Sequence, residues 1–274
     1  MISPFRLQHK YKTLLIIGSS LLFGTTFASD TEKEKRWAEQ VVDSIMVGEA
    51  KWLNVGKNKT LSIYTENTTE KAIGGAIILH GSGAHPNWDQ VVRPLRSQLP
   101  DYGWLTLSVQ LPVLANEAEY KDYVPLFKEV APRINAGVKF LKSKGIKNIV
   151  IVAHSLGSSM AGYYLAKKPD PAIRAFVAIG VSGNMHKKDE VGFLTSLKTI
   201  KVPVLDIFGS NDLKPVLQSK KSKADVARKA GNKNYTQVKI AGANHFFDNK
   251  DDALVKRVRG WLAKNAAGTE IIIK

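Results

Sequence analysis

The chain has 274 residues, a length typical of a single α/β domain, and 44% of them are hydrophobic, enough to bury a large core. It contains no cysteine, which excludes stabilising disulfides and a lipid-modified cysteine. The formal net charge is +16, but no RNA-binding or helix-turn-helix motif accompanies it, so nucleic acid is not an expected partner.

The first 28 residues have the pattern of a secretory signal peptide. Their only charged residues are basic (Arg6, Lys10 and Lys12), and the apolar stretch Thr13–Phe27 is short for a membrane span. Small residues on either side of Phe27 predict cleavage after Ala28, and an uncleaved membrane anchor is the alternative. We therefore expect a periplasmic or secreted mature chain.

The basic character of the chain has two interpretations. Loss of the three basic residues of the signal peptide lowers the net charge from +16 to +13. Such a surface in the cell envelope predicts peripheral contact with anionic lipids or polysaccharides. The lysines are scattered, however (among them Lys142, Lys167, Lys220 and Lys223), so a solvated surface that serves only solubility is the alternative.

Predicted helices and strands alternate along most of the chain. Residues 29–58 are predicted as a helical lead-in with an amphipathic helix at Glu32–Met46. Strands are predicted at Leu61–Thr65, Ala76–Leu79, Trp104–Val109, Asn148–Ala153, Ala175–Val181, Val204–Phe208 and Tyr235–Ile240. Helices are predicted at Trp88–Gln98, Val124–Lys142, Leu156–Lys167, Ser219–Ala230 and Ala253–Ala263. This alternation indicates the α/β class: one domain over residues 29–274, with a mainly parallel sheet and helices on both faces.

A serine lies at a sharp joint between a buried strand and a helix. The segment A-H-S-L-G places small residues, Ala153 and Gly157, two positions either side of Ser155. A turn tight enough to expose a side chain requires such neighbours, and the helix N-terminus then points at the serine. We expect Ser155 to be a nucleophile; the alternative is that its hydroxyl only caps the helix.

A serine nucleophile needs a base and an orienting carboxylate. Asp212 and His245 each follow a predicted strand, so a parallel sheet would bring both to the edge that carries Ser155. As alternatives, Asp212 only forms a turn and His245 is an incidental loop residue. Asp206 and Asp248 are the substitute candidates for the acid.

A glycine-rich loop, His80-Gly81-Ser82-Gly83, follows another predicted strand. We expect the backbone N–H groups of Ser82 and Leu156 to form an oxyanion hole. A phosphate-binding loop is disfavoured, because the Walker lysine and the G-x-G-x-x-G spacing are missing.

The substrate pocket is predicted from residues near these motifs. His80, His85, Trp88 and His154 are its candidate lining residues, and the loop Gln110–Tyr123 is a candidate wall. No histidines or carboxylates show the spacing of metal ligands, so neither a metal nor a cofactor is expected.

Several segments carry a resemblance to a known superfamily: HGSGAHPNWD, GWLTLSVQLP, AHSLGSSMAGYYLA, PVLDIFGSND and AGANHFF. They resemble the α/β hydrolases and, more narrowly, a family of exported proteobacterial proteins of unknown function, over Leu61 to Leu262. The resemblance implies the α/β-hydrolase fold and a catalytic set of Ser155, Asp212 and His245. Ala153 stands where the elbow usually has glycine, and HGSG replaces a lipase-type HGGG.

These residues together predict a carboxylesterase-like serine hydrolase. It would cleave an ester or thioester of a small molecule or an envelope acyl substrate through an acyl-enzyme. Only about twenty residues separate Val181 from Val202, where lids usually lie, so we expect a minimal cap and an open site. The alternative is a non-catalytic envelope binding or scaffold protein that holds anionic lipid or polysaccharide.

Overall fold

The computed structural model describes residues 29–184 and 190–268; the predicted signal peptide lies outside the described residues. The described part contains an eight-stranded sheet in the order β1-β2-β4-β3-β5-β6-β7-β8. The strands are β1 (Glu49–Val55), β2 (Asn58–Thr65), β3 (Gly74–Leu79), β4 (Trp104–Val109), β5 (Ile149–His154), β6 (Ile173–Ile179), β7 (Val204–Asn211) and β8 (Tyr235–Asn244).

Seven α-helices are described around this sheet. They are α1 (Thr31–Asp43), α2 (Val92–Gln98), α3 (Val130–Ser143), α4 (Leu156–Leu165), α5 (Phe193–Leu197), α6 (Lys214–Lys229) and α7 (Asp251–Asn265). Two 3-10 segments, Leu99–Tyr102 and Tyr120–Glu129, precede β4 and α3. None of the described helices is long and apolar enough to cross a membrane.

The sheet is mainly parallel, as predicted. Strands β3 to β8 pair in parallel, whereas β1 and β2 join by antiparallel pairing at one side. The central strands β3, β4 and β5 are buried along their whole length, which explains their continuous apolar runs.

Helices cover both faces of the sheet because side chains alternate along each strand. In β3, Ile77 and Leu79 pack in a cluster with α3, α4 and α5, whereas Ala76 and Ile78 pack with α2 and α7. Between β6 and β7 the described part of the insertion contains only the short helix α5; residues 185–189 lie outside the described residues.

The predicted helical lead-in, residues 29–58, is wrong for its second half. The helix ends at Asp43, and Glu49–Val55 form the antiparallel strand β1. In this strand only Leu53 is buried, because β1 lies at the edge of the sheet. An edge strand with a single buried residue has no apolar alternation from which it could be predicted.

Several predicted boundaries also move. The predicted helix Val124–Lys142 begins as a 3-10 segment, and α3 starts only at Val130. Proline explains the change, since Pro125 has no N–H to donate in a continuing α-helix, whereas Pro132 is tolerated in the first turn of α3. Strand β8 extends beyond its predicted end to Asn244, directly before His245.

One of the scattered lysines is not a surface residue. Lys223 of α6 is fully buried and pairs with Asp206 of β7, with its Nζ 3.0 Å from the carboxylate and 2.7 Å from the carbonyl oxygen of Val181. Tyr235 and Gln237 of β8 donate to the same carboxylate. The predicted solvated position of Lys223 is therefore wrong, and the pair ties α6 to the sheet.

Lys223→Met is expected to lower the free energy of unfolding by about 3–5 kcal/mol, because it leaves the Asp206 carboxylate buried without a countercharge. Lys221→Met, at an exposed position of the same helix, is the matched control and should change it by less than about 0.5 kcal/mol. Urea unfolding of both variants measures the difference. Equal midpoints for the two variants would show that the buried pair contributes nothing.

Candidate active site

Ser155 lies on a strained turn between β5 and α4. Its backbone has φ 52° and ψ −121°, a conformation that residues with a side chain rarely adopt. It precedes the first residue of α4, but its side chain makes no capping hydrogen bond to the helix. The alternative in which Ser155 only caps the helix is therefore wrong.

The Ser155 hydroxyl contacts His245 instead. Ser155 Oγ lies 3.0 Å from His245 Nε2, and His245 Nδ1 lies 2.6 Å from Asp212 Oδ1. These residues are 90 and 33 positions apart in the chain, and they meet because β5, β7 and β8 all end at the same edge of the sheet. The structure thus brings the three predicted residues into one hydrogen-bonded chain.

The surroundings of Asp212 favour its ionised form. Burial alone would raise the pKa of this carboxyl, but the hydrogen bond and charge of His245 oppose burial, as do the N–H groups of Leu213 and Gly209. The net effect holds the pKa of Asp212 below its ordinary value. An ionised Asp212 accepts from His245 Nδ1–H, which leaves Nε2 free to accept the serine proton.

The two alternative candidates for the orienting acid, Asp206 and Asp248, form contacts with residues other than His245. Asp206 belongs to the buried pair with Lys223. Asp248 accepts hydrogen bonds from Asn244 and Gln90. Of the three aspartates considered, Asp212 is therefore the one that the structure places against His245.

A glycine that the sequence analysis did not single out makes room for the imidazole. Gly180 follows β6 and has φ 59°; a Cβ there would lie 3.0 Å from the ring of His245 and 3.5 Å from Asp212 Oδ2. The position of Gly180 after a buried strand, at the edge where Asp212 and His245 also lie, is the signal that could have identified it.

The glycine-rich loop lies directly against the serine turn. A Cβ on Gly81 would approach the Ser155 Cβ to 3.2 Å, and one on Gly157 would approach the His80 carbonyl oxygen to 2.2 Å. Leu156 opens α4, so its N–H has no acceptor within the helix. Ser82 lies in the cavity wall beside Ser155, where an oxyanion donor is required.

A cavity of about 440 Å³ opens onto Ser155. Four predicted site residues besides the serine line it: Ser82, Trp88, His154 and His245. The other side chains of its wall were not predicted individually: Ala84, Tyr120, Ser182, Asn184, Leu213, Pro215, Val216 and Phe246. Tyr120 does belong to the loop that was predicted as a wall, and Leu213 and Phe246 are the chain neighbours of Asp212 and His245.

His80 is not in the cavity wall, contrary to prediction. It is fully buried; its Nδ1–H donates to the carbonyl oxygen of Gly81 over 2.8 Å, and its Nε2 accepts from the N–H of Leu111 over 2.9 Å. Burial lowers the pKa of His80 to about 3, so the ring is neutral at physiological pH. Its hydrogen bond to Gly81 helps to hold the glycine-rich loop in place.

His85 also lies outside this cavity. Its ring makes edge contacts with Trp37 of α1 and with Trp88, and it lines a separate cavity of about 300 Å³. His85 therefore packs against Trp88 without lining the cavity at Ser155, and its prediction as a residue of the substrate pocket is wrong.

His154 holds the segment that carries the base. Its Nε2–H donates to the carbonyl oxygen of His245 over 3.0 Å, and the two rings lie 4.9 Å apart between centroids. Burial lowers the pKa of His154 to about 4, with the neighbouring charge of His245 acting in the same direction. A neutral His154 thus positions the backbone of His245.

Among the described residues, no group of three or more histidines, aspartates and glutamates could hold a metal ion. The chemistry that this arrangement can perform is nucleophilic attack by a serine, with an imidazole to move the proton and backbone N–H groups to receive an oxyanion.

The order of the sheet, the strained turn and the helices on both faces are those of an α/β-hydrolase fold, as comparison with solved structures confirms. Esterase Pf2001 from Pyrococcus furiosus has a TM-score of 0.64 at 18% identity over 80% of this chain and 92% of its own. Dienelactone hydrolase from Anabaena variabilis gives 0.62 at 20% identity over 79% and 97%. Est1E from Butyrivibrio proteoclasticus gives 0.60 at 16% identity over 79% and 98%.

The chain belongs to the family described as protein of unknown function (DUF3530), which matches residues 28–125 and 125–264. A comparison with curated proteins finds no match. The family model therefore confirms the narrower resemblance, to a family of unknown function, and the solved structures confirm the α/β-hydrolase fold.

Proposed function

We propose that this protein is an exported serine hydrolase that cleaves ester or thioester bonds through an acyl-enzyme. The observation that carries the proposal is the hydrogen-bonded chain from Ser155 through His245 to Asp212, with Ser155 on a strained strand-to-helix turn. Strain of this kind is retained where function requires it, and a serine hydroxyl that faces a cavity next to an imidazole is an activated nucleophile.

In the proposed reaction, Ser155 Oγ attacks the carbonyl carbon of the substrate while His245 Nε2 takes the hydroxyl proton. The N–H groups of Leu156 and Ser82 stabilise the oxyanion that forms. His245 then gives the proton to the departing alcohol or thiol, and the acyl group stays on Ser155. A water molecule then attacks the acyl carbon while His245 takes its proton; the carboxylic acid is released as His245 returns this proton to Ser155 Oγ.

The cavity wall favours a substrate that is uncharged near the scissile bond. None of the described residues that line it is an Asp, Glu, Lys or Arg, and three of them are the aromatic residues Trp88, Tyr120 and Phe246. A volume of about 440 Å³ fits a small or medium-sized acyl group. Est1E, a structural neighbour, has been crystallised with ferulic acid, an aromatic acid, and this supports the same acyl class here.

A fluorophosphonate probe tests the proposal. It should label the purified mature protein on Ser155, identified by mass spectrometry, and Ser155→Ala should remain unlabelled. Ser158→Ala is the matched control, since Ser158 lies one turn further into the same helix and its Oγ is used in a hydrogen bond to the carbonyl oxygen of Ala153. Absence of labelling in the folded protein would favour the binding or scaffold class instead.

A further inference from the structure

The residue that follows the predicted cleavage point is held by a side chain far away in the chain. The backbone nitrogen of Ser29 lies 3.2 Å from Glu129 Oε1, and its hydroxyl donates to Glu129 Oε2 over 2.7 Å. The next residue, Asp30, donates its N–H to the carbonyl oxygen of Val113 over 2.8 Å. Ser29 is only 8% exposed, so the first residue of the expected mature chain is packed against the fold.

Glu129 belongs to a cluster of charged side chains between α1 and α3. Arg133 donates two hydrogen bonds to Glu34, of 2.8 and 2.9 Å, and its Nη2 lies 4.0 Å from Glu129 Oε2. Burial is the main reason why the pKa of Glu34 is raised, and the negative charge of Glu129 adds to it, against the effect of Arg133. Two carboxylates thus share one guanidinium, and Arg133 lies closer to Glu34 than to Glu129.

We infer that cleavage after Ala28 adds a second positive charge to this cluster: the α-ammonium group of Ser29 binds Glu129. A signal peptidase hydrolyses the Ala28–Ser29 peptide bond with one water molecule, leaving a carboxylate on Ala28 and an amine on Ser29, which takes up a proton. In the precursor the same nitrogen is an uncharged amide N–H. Cleavage therefore converts a neutral hydrogen bond into a charge-assisted one, which is stronger.

Removal of the signal peptide would therefore stabilise the packing of the N-terminal helix α1 against the rest of the fold. Ser29 lies two residues before α1, next to its N-cap Asp30, and Glu129 is the last residue before α3, so the new ion pair joins the starts of these two helices. The site is specific for a primary ammonium on an unextended chain, since any residue added before Ser29 turns the nitrogen back into an amide.

The pH dependence of this contact follows from the groups around it. Glu34, Glu129 and Arg133 face Ser29, Asp30 follows it, and an adjoining cavity of about 730 Å³ is lined by further charged side chains, among them Glu32, Lys35 and Lys128. An α-amino group has an ordinary pKa of about 7.7–8.0; in the folded state the carboxylates of Glu129 and Glu34 raise it, and the Arg133 guanidinium, 3.4 Å from the Ser29 hydroxyl, acts against them. The stabilisation is then fully present below about pH 7.7 and is lost as the pH rises through the folded-state pKa.

Four proteins test the inference: the mature chain with Ser29 as its first residue, the same chain with two glycines before Ser29, and both chains with Glu129→Gln. At pH 6.5 the extension should lower the melting temperature by about 2–4 °C when Glu129 is present. It should have no effect in the E129Q chains, in which the charge of the partner is absent but its shape is kept. At pH 10.5 the α-amine is uncharged, so the extended and unextended chains should have the same melting temperature, with or without Glu129→Gln.

An extension that leaves the melting temperature unchanged, or that lowers it equally in the E129Q chains, would overturn the inference. A second measurement does not depend on the stability of the variant: reductive methylation of the α-amine at pH 7 should be slower in the folded mature chain than in a peptide of its first ten residues. Equal rates would also overturn it, as would N-terminal sequencing of the exported protein that begins at any residue other than Ser29.

Discussion

Ser155→Ala is expected to abolish the hydrolysis of a short-chain ester such as p-nitrophenyl acetate, with a loss in kcat on the order of 10⁶, because the attacking oxygen is removed. His245→Ala should cost nearly as much, since the serine and the imidazole act as a unit and their effects do not add. Asp212→Asn should cost about 10⁴, because an amide at this position favours the wrong imidazole tautomer. Steady-state kinetics of the purified variants provide the measurement.

Thermal melts of the same variants provide the control, since loss of activity is informative only in a folded protein. The outcome that contradicts the mechanism is a folded Ser155→Ala protein with full activity. Asp206→Asn offers a further comparison: it alters a carboxylate that is hydrogen-bonded to Lys223, and it should act on stability rather than on the chemical step.

Gly157→Ala is expected to disrupt the site without altering any reacting group. A Cβ at this position would lie 2.2 Å from the carbonyl oxygen of His80, so either α4 or the glycine-rich loop must move. That movement separates the N–H groups of Leu156 and Ser82, and loss of one oxyanion donor reduces kcat roughly 10²–10³-fold. Overpacking of this kind should also lower the free energy of unfolding by about 1–3 kcal/mol.

Gly260→Ala is the matched control for this substitution. Gly260 lies in the middle of α7, is exposed, and a Cβ there meets no described atom within 4 Å. Because alanine has the higher helix propensity, this variant should keep full activity and gain up to about 1 kcal/mol in stability. If Gly157→Ala behaves like Gly260→Ala, the close contact between α4 and the loop is not required.

The α/β class and the order of the site residues could be predicted because both depend on local pattern. The runs at β3 and β5 are almost entirely apolar, and Ser155, Asp212 and His245 follow strand ends in a parallel sheet, where they must share one edge. Chain order and strand direction were therefore enough to bring together three residues that are far apart in the sequence.

The direction of individual side chains could not be predicted in the same way. His80 and His154 both lie at the end of a strand, and the same reasoning predicted both as pocket residues. His80 is buried and bonded to Leu111, however, whereas His154 lines the cavity. Lys223 is a different case: it lies seven residues after Val216 and four before Ala227, the other buried residues of α6, so helical periodicity places it on the buried face. Its partner Asp206 could not be predicted, because that contact depends on tertiary packing.

The free edge strand β1 bears on how the protein behaves at high concentration. An uncovered edge offers a row of N–H and C=O groups to which a second chain can add a strand, the first step of aggregation. On β1, Glu49 and the half-buried Lys51 form an ion pair of 2.7 Å, and Lys57 and Lys59 follow in the adjoining turn and strand. An incoming strand would have to desolvate these charges, so we expect this edge to resist intermolecular pairing.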